Sequence, residues 1–416
     1  MGVNVFPAAS GGASYSSQPP ASASSVLLDG QLVTASSYST TVTGTGAPWL
    51  LYANGAGTTT ITIAGTPYTV TAGSTVGTSA YTGSQSVSVA TTFVAAAPAT
   101  FTASTMPAGG STGGWSGITY GNGYFVAISG ISLATTSGAY STDGINWTAS
   151  TMPSSSNWYG VTFGNGYFVA VAGATTAGAY STNGTTWTAS TMPSSATWTA
   201  VAYGLISATN YFVVTSAGGT TNAAYSTNGT TWAASTLPSA KYWAAVTYGN
   251  GYFVTVALID TGFNPTNATA YSTNGTTWTA STLSSSAKWR GVAYGLIGAT
   301  NYYVAVADAT TAGAYSTNGT SWTASTMPSA SRWYAVTYGS GYFVAVAQGP
   351  TTIGAYSANG TTWTASTMPS SSNWYGVGYG SGKFVAVAGA TTAGAYFSMP
   401  PLPVAYGIYN GATVRA

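Results

Sequence analysis

The chain of 416 residues has no cysteine, no histidine and no glutamate, and its acids are Asp29, Asp143, Asp260 and Asp308 alone. Without cysteine there is no disulfide framework, no thiolate nucleophile and no thiolate zinc site. Without histidine or glutamate, general acid–base chemistry would rest on four aspartates, and Asp29 and Asp143 sit in hairpin turns where Asp is a structural choice. The sequence therefore predicts that the chain is not an enzyme, and it shows no cofactor or metal-ligand motif. The net charge of +2 gives no basic stripe for nucleic acid. No apolar run is long enough for a membrane span, and the start Met1-Gly-Val-Asn-Val-Phe-Pro leads straight into Ser, Gly and Pro, unlike a signal peptide.

What the chain has is repetition. Seven times a Trp opens a segment of the form W-x-x-V-x-Y/F-G (Ile118 takes the Val place once), at Trp115, Trp158, Trp198, Trp243, Trp289, Trp333 and Trp374. Their spacings of 43, 40, 45, 46, 44 and 41 residues suit one four-stranded propeller blade per repeat. The second repeat reads as strand a from Trp158 to Phe163, a Gly-Asn-Gly turn, strand b from Tyr167 to Ala172, and strand c from Ala177 to Ser181. A turn at Asn183-Gly184 and strand d from Thr186 to Ser190 complete it. Strand b is continuously apolar, as expected of a strand covered on both faces. Asn-Gly between β-prone runs predicts a type I′ hairpin, with Asn183, Asn228, Asn274, Asn318, Asn359 and Asp143 at positive φ beside their glycines.

The ends of the array complement each other. The last repeat stops at Tyr396 before Met399-Pro-Pro-Leu-Pro403 and lacks a strand d, while Phe101-Thr-Ala-Ser-Thr-Met-Pro107 ahead of the first Trp copies that strand. Pairing of Phe101–Ser104 with Gly394–Tyr396 would close a seven-bladed ring and remove two sheet edges. The predicted class is all-β: an extended arm (1–24), a small β-sandwich or barrel (25–98), a seven-bladed β-propeller (99–398) closed by an N-terminal strand, and an extended tail (399–416).

The Ser-Thr-Asp143-Gly-Ile-Asn-Trp147 segment resembles the Asp-box of sialidase-like propellers, S-x-D-x-G-x-x-W, shortened by one residue and with Asn in five of six copies. Repeats joining YGNGYFVAV to AYSTNGTTWTAS also look like propeller segments of bacteriophage virion proteins, over residues 101–398. That resemblance implies a propeller in a phage particle, as a fibre or a tail or head appendage. A retaining sialidase site would need an arginine cluster and a Tyr/Glu pair, and no Glu is present.

In the N-terminal hundred residues, Val26–Val33 reads as a hairpin on Asp29-Gly30, and Thr60–Ile63 with Tyr68–Thr71 as a second; Trp49–Tyr52 and Ser86–Val89 add strands. The Ser/Ala/Pro-rich arm is too poor in apolar residues to fold alone. These features make residues 1–98 the expected contact with other virion proteins in an oligomeric assembly, with the propeller projecting and the tail as a secondary contact. A surface of Ser, Thr, Asn and Gly with so little charge suits a subunit of a particle.

Six of the ten charges, Lys241, Asp260, Lys288, Arg290, Asp308 and Arg332, fall in or beside the d–a and b–c connections of repeats four to six, on one face of a propeller. Leu258–Asn267 is the longest b–c loop, and departures from a repeat are where specificity resides. With Trp243, Trp289 and Trp333 as sugar-stacking rings, these residues form a candidate glycan-binding face, the alternative role being receptor binding. The plainer readings are surface ion pairs, of Lys288 or Arg290 with Asp308, and Trp as inter-blade packing.

Overall fold

The computed structural model describes residues 4–7, 27–28, 31–32, 37–52, 58–63, 66–71, 75–92, 100–108, 114–298, 300–389 and 391–398. Among them every regular element is a β-strand, and no helix is long and apolar enough to cross a membrane. The chain divides into two units, one of them Pro98–Ser398.

In the other unit, strands β1 (Asn4–Pro7), β4 (Ser37–Tyr52), β5 (Thr58–Ile63), β6 (Thr66–Thr71) and β7 (Thr75–Thr92) form one antiparallel sheet in the order β1-β4-β7-β5-β6. β2 (Leu27–Leu28) and β3 (Gln31–Leu32) form the expected hairpin. Two expectations change. The described strands make one five-stranded sheet beside the small hairpin, where a sandwich or barrel was predicted; the long β4 and β7 pair with each other and carry β1 and β5 on their outer sides. The predicted arm holds a strand too: Asn4 pairs with Tyr52 and Pro7 with Trp49. Pro at the outer end of an edge strand is tolerated there. The tail after Ser398 and most of residues 8–36 lie outside the described residues.

The Pro98–Ser398 unit repeats one hydrogen-bonded pattern. β8 (Thr102–Thr105) comes first, and the first segment runs through β9 (Trp115–Gly121), β10 (Tyr124–Ser129), β11 (Thr135–Ser141) and β12 (Thr148–Gly164). β12 is strand d of one segment and strand a of the next, so the d–a connection is continuous strand where a loop was expected. The reason is its Thr/Ser/Met/Pro composition: Met152 is buried while the flanking Thr151 and Pro153 face solvent, an alternation that keeps the chain extended. Because such strands belong to two segments, the ladders merge into one run of 7 strands and one of 16. The longer run ends on β8, where Ser104 pairs with Gly394, Ala103 with Ala395 and Thr102 with Tyr396.

The core repeats likewise. All seven segment Trp residues are fully buried, as are the strand-b runs such as Phe168–Ala172. Trp158 packs between Ile128 and Met152 of the segment before and Ala170, Ala172 and Ala179 of its own. Strand a of each segment leans on strand a of the next through a glycine facing a ring. A Cβ on Gly121 would lie 2.0 Å from the Phe163 ring, one on Gly164 2.0 Å from Tyr203, and one on Gly380 2.0 Å from Tyr120 of the first segment. Only a residue without a side chain permits that approach.

The c–d turns differ from the type I′ prediction. Gly144, Gly184, Gly229, Gly275, Gly319 and Gly360 adopt positive φ, but Asp143, Asn183, Asn228, Asn274, Asn318 and Asn359 do not. The side chain is the cause. Asn183 Oδ1 accepts the N–H groups of Thr185 and Thr186, both at 3.0 Å, and the Ser181 hydroxyl at 3.0 Å, making an Asx turn. Asp143 holds Ile145 and Asn146 in the same way, at 2.8 Å each. Type I′ geometry occurs instead at the a–b turns, with Asn122-Gly123, Asn165-Gly166 and Asn250-Gly251 positive at both residues.

Candidate ligand-binding face

Each segment carries a β-bulge at the residue after its Trp. In the second, the ladder steps from Trp158–Ala172 to Gly160–Val171 and leaves Tyr159 unpaired. The same bulge falls on Ser116, Thr199, Ala244, Arg290, Tyr334 and Tyr375. A bulge re-aims its side chain out of the regular alternation. Here it turns the side chain toward the neighbouring segment: Thr199 Oγ1 donates to the Trp243 carbonyl at 3.0 Å, and the Arg290 guanidinium lies 4.9 Å from the centre of the Tyr334 ring. Tyr334 meets Tyr375 edge-on at 4.8 Å, and Gln348 donates to the Tyr375 hydroxyl at 2.9 Å.

The charges gather at one of these bulges. Asp308 ends strand Thr300–Asp308, and its side chain is only 7% exposed. Its Oδ2 accepts from Arg290 Nε at 3.2 Å and Nη2 at 3.1 Å, and its Oδ1 accepts from Arg332 Nε at 3.0 Å. Burial works to raise the Asp308 carboxyl, but the hydrogen bond from Arg332 and the charge and hydrogen bond of Arg290 outweigh it and hold the carboxyl below its ordinary range. Arg332 is raised in turn by the hydrogen bond to Asp308. The Tyr334 phenol is pushed up by burial, against the pull of Arg290. Lys288 sits opposite Asp308 in the ladder with its side chain exposed and makes no ion pair among the described residues. The predicted partner of Asp308 is thus Arg290, joined by Arg332 and not by Lys288.

Asp260 belongs to a second arrangement. Its Oδ1 accepts the N–H groups of Gly262 at 2.8 Å and Asn264 at 2.9 Å, and the N–H of Phe263 reaches its carbonyl at 3.1 Å. The Asn264 N–H is the main influence holding the Asp260 carboxyl below its ordinary value, helped by Gly262 and the charge of Lys241, its ladder partner. The carboxylate therefore shapes the loop, and what the loop presents is Phe263, 67% exposed at φ 63° with its ring 5.6 Å from Tyr242. A non-glycine residue at such a φ costs about 1–3 kcal/mol and marks a place where the surroundings impose a conformation.

Trp243, Trp289 and Trp333 are not stacking rings. They are fully buried, and their indole N–H groups donate to the carbonyls of Ser239, Ser285 and Ser329 at 3.1, 3.3 and 3.0 Å. A large ring at the same place in every segment fills the same wedge. The Leu258–Asn267 loop stands out in the sequence, but Phe263 within it does not, nor do Tyr242, Tyr334, Tyr375 and Gln348. Variability was the available signal: the position after the constant Trp reads Ser, Tyr, Thr, Ala, Arg, Tyr, Tyr along the chain.

No protein-family model matches the sequence, and no curated protein matches it. Solved structures do resemble it. Selenomethionine-substituted virginiamycin B lyase from Staphylococcus aureus matches with a TM-score of 0.60 at 13% identity, over 72% of this chain and 99% of that one. A streptogramin B lyase matches at 0.59 and 13%, over 71% and 96%. YCF48 from Cyanidioschyzon merolae matches at 0.52 and 14%, over 72% and 99%. The chain has a β-propeller fold.

The expectation that the chain is not an enzyme is corrected by these neighbours, because lyases share its fold. Scarcity of acids and bases is therefore no ground for excluding catalysis. At such low identity the likeness shows the fold and assigns no reaction.

Proposed function

We propose that the chain is a seven-bladed ring displayed on a bacteriophage particle, as a fibre or a tail or head appendage. Residues 1–98 make its contacts with other virion proteins in an oligomeric assembly. The observation that carries the ring is the run of glycine-on-ring contacts, whose seventh step, Gly380 on Tyr120, joins the last segment to the first. The pairing of Thr102–Thr105 with Ala393–Ser398 supports it, because the last segment takes its fourth strand from ahead of the first. A ring whose sheet edges are paired has no need of a partner to satisfy them. The separate sheet unit before Pro98 is then the part available for assembly.

The placement in a virion rests on the resemblance of the repeats and on the nearly uncharged Ser/Thr/Asn/Gly surface. It is tested by incorporation. A chain of residues 99–398 should fold with the melting behaviour of the ring and fail to enter particles, while the full chain enters. Incorporation of 99–398 at the level of the full chain would overturn the assignment of residues 1–98. Removal of residues 1–107 should leave an aggregating protein, and a soluble monomer from that deletion would overturn the closure.

A second reading, binding of a host-surface glycan through the face of segments four to six, is favoured by the Tyr242–Phe263 pair. The exposed Phe263 ring, held at a strained backbone against the half-buried Tyr242, offers a stacking surface for a sugar at low entropic cost. Phe263→Ala should lower adsorption of the protein to host cells several-fold with an unchanged melting temperature. Equal adsorption would remove Phe263 from the binding surface.

A further inference from the structure

The Arg290–Asp308–Arg332 cluster is not needed for the fold. Around the second segment the three equivalent places hold Tyr159, Gly173 and Thr197, yet the bulge and the ladders are the same. A buried acid with two arginines is also an inefficient way to stabilise a sheet, since the desolvation cost offsets most of the Coulombic gain. What the cluster does achieve is position. Asp308 fixes two guanidinium groups at one bulge, using Nε and one Nη of Arg290 but only Nε of Arg332. Arg332 remains 47% exposed, and both its terminal nitrogens make no hydrogen bond to the protein among the described residues. With exposed Lys288 opposite Asp308, three cations surround one anion in a chain whose whole net charge is +2. Beside them lie the half-buried Tyr334 and Tyr375, which supply ring edges and hydroxyls.

We propose that Arg332 and Arg290, held by Asp308, form with the exposed Lys288 beside them a subsite for the carboxylate of a saccharide containing hexuronic acid. The proposal rests on the glycan-binding reading above and names the class of glycan. The chemistry is that of a fork. A guanidinium presents parallel N–H donors that match the two oxygens of a carboxylate, and such charge-assisted pairs are stronger than neutral hydrogen bonds. Arg332 supplies the fork, Lys288 adds an unpaired charge, and Arg290, stacked on Tyr334, fixes the wall of the site. A neutral hexose would gain the ring surface and leave the positive charge uncompensated.

The test is calorimetric titration of the full-length protein with oligogalacturonate, oligoglucuronate and alginate fragments, against neutral oligosaccharides of equal length. The expected result is that at least one uronate binds, its neutral counterpart binds at least roughly tenfold more weakly, and added salt weakens the uronate. Arg332→Ala should raise the uronate Kd about tenfold and Lys288→Ala by a smaller factor of roughly three, both at unchanged melting temperature. Lys383→Ala, in the seventh segment, should leave binding as it was. Should Arg332→Ala unfold the chain, the exposed Lys288→Ala and the salt dependence still decide. Uronate binding indifferent to both substitutions and to salt overturns the subsite. Binding of neutral saccharides alone overturns it while the glycan reading stands, whereas no binding of any saccharide removes both.

Discussion

Two turns of the same repeat are built on the same dipeptide and fold differently. Asn165-Gly166 joins strands a and b with both residues at positive φ, 46° and 80°, whereas in Asn183-Gly184 only the glycine is positive, at 73°. The a–b turn has two residues between the paired Gly164 and Tyr167, so the twist of the hairpin imposes type I′. The c–d connection leaves residues 182–187 between the strand ends Ser181 and Thr188. In that longer loop the Asn side chain has backbone N–H groups and a serine hydroxyl within reach, and it takes them. A dipeptide signals a turn, and its spacing to the strands and its polar neighbours decide which turn.

The two turns differ most at their glycines. A Cβ on Gly184 would stand 2.6 Å from Val126 Cγ2 of the preceding segment and 3.2 Å from Phe168 Cε2, whereas a Cβ on Gly166 would meet nothing within 4 Å. Gly184→Val should cost about 4 kcal/mol, combining left-handed strain with overpacking. Gly166→Val should cost about 2 kcal/mol, from strain alone. Urea unfolding of the two variants measures this, and equal losses would show that the c–d turn does not wedge against its neighbour. Asn183→Ala removes the acceptor of two backbone N–H groups and should cost about 1–2 kcal/mol. Asn165→Ala, which loses tolerance of a left-handed φ and no hydrogen bond, should cost about half that.

The third segment builds its a–b turn without glycine. Its turn carries Ser207 and Ala208 at φ 47° and 66° between the paired Ile206 and Thr209, with no glycine to relieve either. Ala208→Gly should therefore stabilise the chain by about 1 kcal/mol, read as a higher urea midpoint. A lower midpoint would mean that the alanine methyl group contributes packing that outweighs the strain.

How far the sequence led follows from the same distinction. Strand b and the Trp wedges were legible because burial on both faces leaves a mark on every residue, from Phe168 to Ala172 and at each Trp. The Asx turns were not, since type I′ and Asx turns draw on the same residues. The charged face was legible as an uneven distribution of ten charges, and Arg290 and Arg332 do meet at Asp308. Its ring residues were missed because a bulge cannot be read from alternation: Tyr334 and Tyr375 look like ordinary strand positions next to a constant Trp. Constancy drew attention to Trp243, Trp289 and Trp333, which are core.

The smallest effect separates the one acidic c–d turn from the five built on Asn. Burial pushes the Asp143 carboxyl up, but the N–H groups of Asn146 and Ile145, the Asn146 side chain and the Ser141 hydroxyl pull harder and hold it well below the ordinary carboxylate range. A carboxyl depressed in the folded chain contributes stability above its unfolded value of about 3.9 and loses it as pH falls toward the folded value, because the unfolded state takes up the proton first. The Asn turns carry no such dependence. Asp308 and Asp260 are depressed in the same direction, so their losses overlap with that of Asp143 and the measurement is made in a background without the buried one, Asp308. In the Asp308→Asn chain, Asp143→Asn should flatten the fall of the urea midpoint below about pH 3.9 while leaving it nearly unchanged at neutral pH. The difference should stay under about 1 kcal/mol, because the turn is open to solvent and screened. Identical acid slopes with and without Asp143→Asn would mean that the carboxylate in this turn does no more than the asparagine amide does in the other five.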